Sequence, residues 1–477
     1  MTISLSGPTT IRTFGFNIPC RRFLIRANVT RDKRLPVVDE FVLRALKVCE
    51  ELPVRRIASF FGFTPSEMEK VISDLIGSGL VVVHGDSVRL HASAHEHFRG
   101  ASDGVPHIVE VESWPIRVWF DLVSKNMAPP GTRSARNLID VHPASLARDL
   151  PVSYARTAFE DNFADYLRRV RRIPNPDRFA LYSVPEAMAE RFGSLVFPVD
   201  QNLVFDPDPR LEPNLLAIHA DDMPRLRKLA DAVLDTYRGL IYADTSRAAL
   251  AEFASLSGDP SVTDAYGGTA TFDLPRWISL NPDIEANDRR PILGASYLRR
   301  NIDVLTALID NLPKPATSVE VAPTKEIVWY RPGGTAWGCS PELRDAIRSI
   351  RAAIRRKFGR TSIRSTLVSP DGSRGRESPR RFEGLFDTGY LAPPGFLSPA
   401  VEAIHVPDVA TLLLVNVDLS STVQIPVGFA STRQQERDRI VSKLSALHSR
   451  LSELWRTERR DDEEPTELEP EDDDQDE

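Results

Sequence analysis

The sequence predicts a multidomain α/β (α+β) protein, and three observations carry that expectation. At 477 residues the chain is too long for one ordinary core, and at about 150 residues per domain it implies roughly three units. Near the amino end the apolar pattern changes from the two-residue period of strands to the three- and four-residue spacing of helices. Further on, residues 326–368 alternate strand, loop, helix and strand, the order of a βαβ unit with parallel pairing. A hydrophobic content of 42% is ordinary for a folded chain.

Residues 1–36 read as a strand pair, 9–16 and 22–29, broken at Pro19. From Val37 the period is helical, with Val38, Phe41, Val42, Ala45, Leu46 and Cys49 on one face. A second helix covers 54–61, with Ile57 and Phe60 inward, and Gly62 supplies the backbone freedom its end requires. The third has the clearest start: Thr64 caps, Pro65 suits the first helical position and Glu67 completes a capping box. Met68, Val71, Ile72, Leu75 and Ile76 form its buried stripe. Strands 80–84 and 87–91 then flank a Gly85-Asp86 turn. Helix, helix, turn, helix and a two-stranded wing describe a winged helix-turn-helix, in a unit spanning 37–99.

The stretch IASFFGFTPSEMEKVISDLIGSGLVVV resembles the winged-helix domains of MarR and DtxR repressors. Ile57, Ala58, Gly62, Ile72, Leu75, Gly79, Leu80 and Val81 fit their recurring pattern, and Met68 stands where it has valine. The resemblance covers residues 37–91 and implies a DNA-binding fold there; it does not extend to the remainder.

After a linker at 100–106, a middle α/β region spans 107–257. It begins with a strand pair at 107–121 interrupted by Pro115. A helix at 152–172, strands 179–184 and 195–205, and helices 223–237 and 247–256 follow. The Gly-, Ser-, Asp- and Pro-rich stretch 258–271 marks a boundary. The carboxyl-terminal α/β region, 272–430, holds the strand 326–330, the loop 331–339, a helix at 341–358 capped by Ser340, and the strand 362–368. Strands 411–417 and 424–429 precede a terminal helix at 431–458. There Ile440, Leu444, Leu447, Leu451 and Leu454 recur at coiled-coil spacing for little more than two heptads. That length fits packing against the body better than a free coiled coil.

The net charge of −7 is unevenly distributed. Residues 461–477 carry twelve carboxylates and no base, so 459–477 reads as a disordered acidic tail. Without those twelve, 55 acids face 60 bases, about +5. The tail is either a solvating appendage or a nucleic-acid mimic that shields a basic surface. Cys20, Cys49 and Cys339 lack paired spacing, which argues against disulfides and a zinc site. The first residues lack a basic segment followed by an apolar stretch, and no apolar run approaches bilayer length. The expected location is cytoplasmic, with no membrane partner.

Two places suit polyanion binding. On the winged helix, Arg55, Arg56, Lys70 and Arg89 can meet phosphates. The exposed positions of its third helix, however, include Glu67, Glu69 and Asp74 beside Lys70, an acidic set for a groove reader. The stronger signal is the helix 341–358. Arg344, Arg348, Arg351 and Arg355 follow at spacings of four, three and four, which places them on one face, and Arg356 and Lys357 extend the charge. Arg364, Arg374, Arg376, Arg380 and Arg381 continue it in flanking segments. The planar guanidinium is suited to phosphate.

Other candidate chemistry is weaker. The loop 331–340 lies between a strand and a helix start, where amides can hold an anion, yet it carries neither nucleotide fingerprint. Cys339 would need a lowered pKa and a base such as His405 to act as a nucleophile; an inert thiol is the simpler reading. His91, His95 and His97 read as a polar linker. No catalytic residue, metal or cofactor is assigned. The expectation is a non-catalytic nucleic-acid-associated accessory or regulatory protein, such as a subunit of a bacterial DNA-handling or antiviral defence system. Its partners are duplex DNA and proteins of a larger assembly. The alternatives are a phosphodiester- or nucleotide-processing enzyme with its site in 326–368, and an assembly subunit whose winged helix contacts protein.

Overall fold

A computed structural model describes residues 7–33, 35–98, 108–128, 135–142, 149–205, 208–215, 223–281, 288–313, 324–359, 361–370, 378–445 and 450–457. The chain is mixed α/β, arranged around two large sheets and a small one.

The strand β1 (Thr9–Lys33) runs unbroken through the place where a break at Pro19 is expected. The missing donor does no harm there. On the side that Pro19 faces, β7 (Ile139–Asp140) pairs with Phe16 and Asn17, and β5 (Ile108–Asp121) takes over only from Cys20. Pro19 falls in the gap, and its carbonyl accepts from Leu122 N–H at 2.8 Å. β5 is likewise one strand, because along Pro115 it is an edge: β6 (Met127–Ala128) pairs only with Trp119 and Phe120. The two strands expected at 179–184 and 195–205 are also one, β8 (Phe179–Val204), which follows β1 through several register shifts. With β9 (Arg210–Asn214) the order is β6-β5-β1-β8-β9. Phe23, Ile25, Ala27 and Val29 alternate onto its buried face beneath α4 (Val152–Asp161) and α5 (Phe163–Asp165). The single helix expected at 152–172 is interrupted at Asn162 and ends in a π-turn, Tyr166–Val170.

Between β1 and β5 sits a module with its own core. It comprises α1 (Val37–Cys49), β2 (Glu51–Pro53), α2 (Val54–Phe61), α3 (Pro65–Gly77), β3 (Val81–His84) and β4 (Ser87–Leu90). Its three strands order β2-β4-β3. The start of α3 has both halves of the capping box: Thr64 N–H donates to Glu67 Oε2 at 2.8 Å, and Glu67 N–H to Thr64 Oγ1. Gly62 ends α2 in the left-handed region, φ 71°. The buried face of α1 is Val42, Leu43 and Leu46, one position off the expected stripe, so Phe41 and Cys49 are exposed. Phe60 and Ile76 are exposed as well.

The helix α6 (Met223–Arg238) is followed by α7 (Arg247–Ser257), α8 (Ser261–Asp264) and α9 (Leu274–Leu280), which lead into the second sheet. The elements of that sheet and its flanking helices are β10 (Arg289–Leu293), α10 (Arg299–Asp310), β11 (Lys325–Tyr330), α11 (Glu342–Phe358), β12 (Ile363–Ser369) and β13 (Thr388–Leu391). They continue with β14 (Val401–Val406), β15 (Ala410–Asp418), β16 (Gln424–Ser431), α12 (Gln434–Ser445) and β17 (Ser452–Arg456). The order is β10-β16-β15-β14-β11-β12-β13-β17, with β11, β12 and β13 parallel, so the βαβ unit is present as expected. Alternation splits its strands between two cores. Ile327 and Trp329 face α10 and α11, whereas Val328 and Tyr330 face the side covered by α7, α8, α9 and α12. The stretch 258–271 contributes Val262 and Ala265 to that second core.

The long terminal helix is not observed. α12 buries Ile440 and Leu444, Leu447 lies outside the described residues, and the chain then returns as the edge strand β17. Trp455 explains the switch: its ring covers Gly389, where a β-carbon would lie 2.2 Å from the indole, and its N–H donates to Phe386 O at 3.2 Å. The acidic residues 461–477 lie outside the described residues. We predict that Trp455→Ala lowers stability by about 3 kcal/mol in urea unfolding; a loss within about 0.5 kcal/mol would match an exposed helical position instead.

Candidate nucleic-acid interface

The two halves meet along the start of β1, and this contact sets α11 in place. Gly15 N–H donates to Cys339 O at 2.7 Å, and Ala295 N–H donates to Ile11 O at 2.8 Å. The cap position of α11 is Pro341 rather than the expected Ser340, although the Ser340 hydroxyl still accepts from Glu342 N–H at 3.2 Å. Ser340 is itself held, its hydroxyl 2.6 Å from Thr13 Oγ1 and its carbonyl 3.0 Å from Asn137 Nδ2. Beneath it the buried Glu402 carboxylate gathers the loop. Its Oε1 accepts from Trp329 Nε1 at 2.8 Å, from Trp337 Nε1 at 2.9 Å and from the Ser296 hydroxyl. Burial raises the Glu402 pKa, opposed by these bonds and by the nearby Arg12 guanidinium.

α11 buries Leu343, Ile347, Ile350 and Ile354 against the sheet and α10. Glu342 and Asp345 lie in its first turn and Arg355, Arg356 and Lys357 in its last, as the helix dipole favours. The four-arginine face expected from the spacing is not uniform. Arg344, Arg348 and Arg355 are exposed. Arg351 turns inward, 17% exposed, and donates to Asp387 Oδ2 at 2.5 Å and Ser365 Oγ at 2.8 Å. The stripe runs along one border of the buried face, and its third member reaches the sheet. Arg356 and Lys357 point to α10, where they meet the Asp310 carboxylate and carbonyl at 2.8 and 2.9 Å. Arg348 has Asp345 at 4.0 Å.

The flanking bases do not extend one surface. Arg364 alternates with Ile363, which packs toward α11, so the pleat turns it to the opposite side of the sheet. Arg381 donates to Asn137 O at 2.8 Å and contacts Cys339 Sγ. Arg380 is exposed and reaches Leu454 O at 3.0 Å, beside the edge strand. Arg374 and Arg376 lie outside the described residues. Asp387 and Asp310, which meet Arg351 and Arg356, are far from them in sequence and carry no local signal.

On the amino-terminal module, Arg55 and Arg56 stand at the start of α2, Lys70 on α3 and Arg89 on β4, all exposed. Arg55 lies 3.5 Å from Asp86 in the β3–β4 turn. Glu67, Glu69 and Asp74 are exposed on α3 as expected.

The remaining candidates separate. Cys339 is buried, and burial pushes its thiol pKa up despite Arg381. His405 lies elsewhere, with Arg437 and Asp408 as its charged neighbours and its imidazole pushed down to about 4 by burial. A cleft of about 210 Å³ opens where β11 and β12 end, lined by Arg331, Ser369 and the 392–399 loop. Among the described residues its lining holds no carboxylate, histidine, lysine or cysteine; Tyr330, whose pKa burial raises, is the one lining side chain of the usual proton-transfer types. Among the described residues no cluster of three His, Cys, Asp or Glu is placed to hold a metal, and no helix is long and apolar enough to cross a membrane.

The sequence matches no protein-family model and no curated protein. Two solved structures are similar in part. Nuc from Salmonella typhimurium, a phospholipase D family member, is 11% identical over 35% of this chain and 98% of its own, with a TM-score of 0.22. TrmBL2, an archaeal chromatin protein with a novel mode of DNA binding, is 10% identical over 88% of this chain and 95% of its own, with a TM-score of 0.20. Similarity at that level assigns neither family nor role.

The Glu402 pKa gives a signed prediction. The folded chain holds this proton more tightly than the unfolded one. The stability it contributes is full below pH 4.5 and is lost as pH rises through the folded value. Glu402→Gln keeps an oxygen acceptor and removes the titration. Relative to this variant, the wild type should lose stability in urea unfolding as pH is raised from 4.5; a constant difference would show that Glu402 does not titrate between the two states.

Proposed function

We propose that this chain is a non-catalytic nucleic-acid-associated accessory or regulatory protein, and that it meets duplex DNA through the border of α11. One observation carries the reading: Arg344, Arg348 and Arg355 are exposed along about 16 Å of a helix that the sheet and Glu402 hold rigid. Guanidinium groups on a fixed element suit phosphate oxygens, since little side-chain freedom beyond their own is lost on binding. Resemblance of residues 37–91 to winged-helix repressor domains supports a second contact through Arg55, Arg56, Lys70 and Arg89. We read these as phosphate contacts that position the chain rather than choose a sequence.

A second reading, docking of the amino-terminal module on protein, is favoured by its exposed apolar side chains. Val48 is 82% exposed, Phe60 79% and Val37 69%, beside an acidic α3. Under this reading the chain is one subunit of a DNA-handling assembly, and α11 remains its polyanion contact.

Fluorescence anisotropy with labelled duplex across a salt series tests the α11 assignment. The triple variant Arg344→Glu, Arg348→Glu, Arg355→Glu should flatten the dependence of log Kobs on log salt by roughly 3 units, about 0.9 for each lost phosphate contact. An unchanged slope and affinity would remove α11 from the interface.

A further inference from the structure

The chain leaves the second sheet beside the arginine border. Thr457 N–H donates to Asp387 O at 2.7 Å, and Asp387 is the residue whose carboxylate holds Arg351. Three residues earlier, Leu454 O accepts from Arg380. Phe382 and Asp387, which flank this exit, run alongside α11: Phe382 packs with Leu343 near its start, and Asp387 meets Arg351 in its third turn. The twelve carboxylates of 461–477 therefore begin four residues beyond a point already against the helix.

Reach and charge both favour an intramolecular partner. At 3.3–3.6 Å per residue, Asp461 falls within about 14 Å of Thr457, and the last residues reach up to about 70 Å. Arg344 to Arg355 spans only about 16 Å. A tether of this length holds the carboxylates at an effective concentration on the order of millimolar, so weak individual pairs add up to a persistent contact. The clustered carboxylates also offer arginine pairs of oxygens, as phosphate does.

We infer that segment 461–477 docks on the Arg344, Arg348 and Arg355 border of α11 and competes there with nucleic acid. The competition rests on the reading of α11 as a polyanion contact, whereas the docking does not. The partner is the chain's own tail rather than a second protein, because the exit point lies on this border and the tract carries the opposite charge.

A benzophenone side chain in place of Gln475 leaves all twelve carboxylates intact and reports the contact in the full chain. Irradiation followed by peptide mapping should give intramolecular cross-links to 342–358. They should fall roughly ten-fold in the triple Arg→Glu variant and at 0.5 M salt, where screening shortens to about 4 Å. Cross-links only elsewhere, or a yield indifferent to both changes, would overturn the docking. In parallel, replacing the twelve carboxylates by their amides should tighten duplex binding roughly ten-fold. Charge-sensitive cross-links to α11 with no duplex binding by the amide variant would keep the docking and sink the nucleic-acid reading. Duplex binding lost on charge reversal of α11, with no cross-link, would keep that reading and sink the docking.

Discussion

The Glu402 carboxylate is the constraint on which the candidate interface depends. Three groups from separate parts of the chain converge on one of its oxygens: Ser296 ahead of α10, Trp329 on β11 and Trp337 in the loop that leads to α11. Removing it would leave two buried indole N–H groups without an acceptor, at about 1–3 kcal/mol each. The carboxylate fixes the loop, the loop presents Cys339 and Ser340 to β1, and β1 bonds both through Gly15 and Thr13. The start of α11 is thereby determined from two sides, and so is the direction in which its arginines point.

Burial then sorts those arginines. A helix that packs one face on a sheet and another on α10 leaves a narrow exposed strip, and the arginine spacing follows one border of it. Nearest the sheet Arg351 takes the Asp387 carboxylate, while on the far border Arg356 takes the Asp310 carboxylate and Lys357 the Asp310 carbonyl. Such pairs orient and stabilise but present little field to a ligand. Arg344, Arg348 and Arg355, between these two, are exposed as Arg356 is, and Arg348 has Asp345 within 4.0 Å. The exposed guanidinium surface is therefore smaller than the charge count of the helix, and it is directional.

Local order was well marked in the sequence. Thr64, Pro65 and Glu67 announce α3 because a capping box is made by neighbours in the chain. Gly62 and the run from β11 to β12 are legible for the same reason, since turn conformation and alternation are local properties. Prolines misled where tertiary context decides their cost. Pro19 and Pro115 read as strand breaks, yet each falls where no ladder bond is required of it. The end of the chain read as a helix from its leucine spacing, whereas Trp455 over Gly389 makes it a strand. Nothing near Arg351 or Arg364 in sequence shows that one meets an aspartate and the other faces away from α11. For the same reason the convergence on Glu402 was invisible: its partners lie 65, 73 and 106 residues away.

On the proposed reading, α11 presents a fixed guanidinium surface to nucleic acid. Hydrogen–deuterium exchange of the full chain, with and without a saturating duplex, tests it most directly. Exchange over 342–358 should slow, with added protection over 54–90 if the amino-terminal module also touches DNA. Protection confined to 54–90, with 342–358 unchanged at saturation, would contradict it.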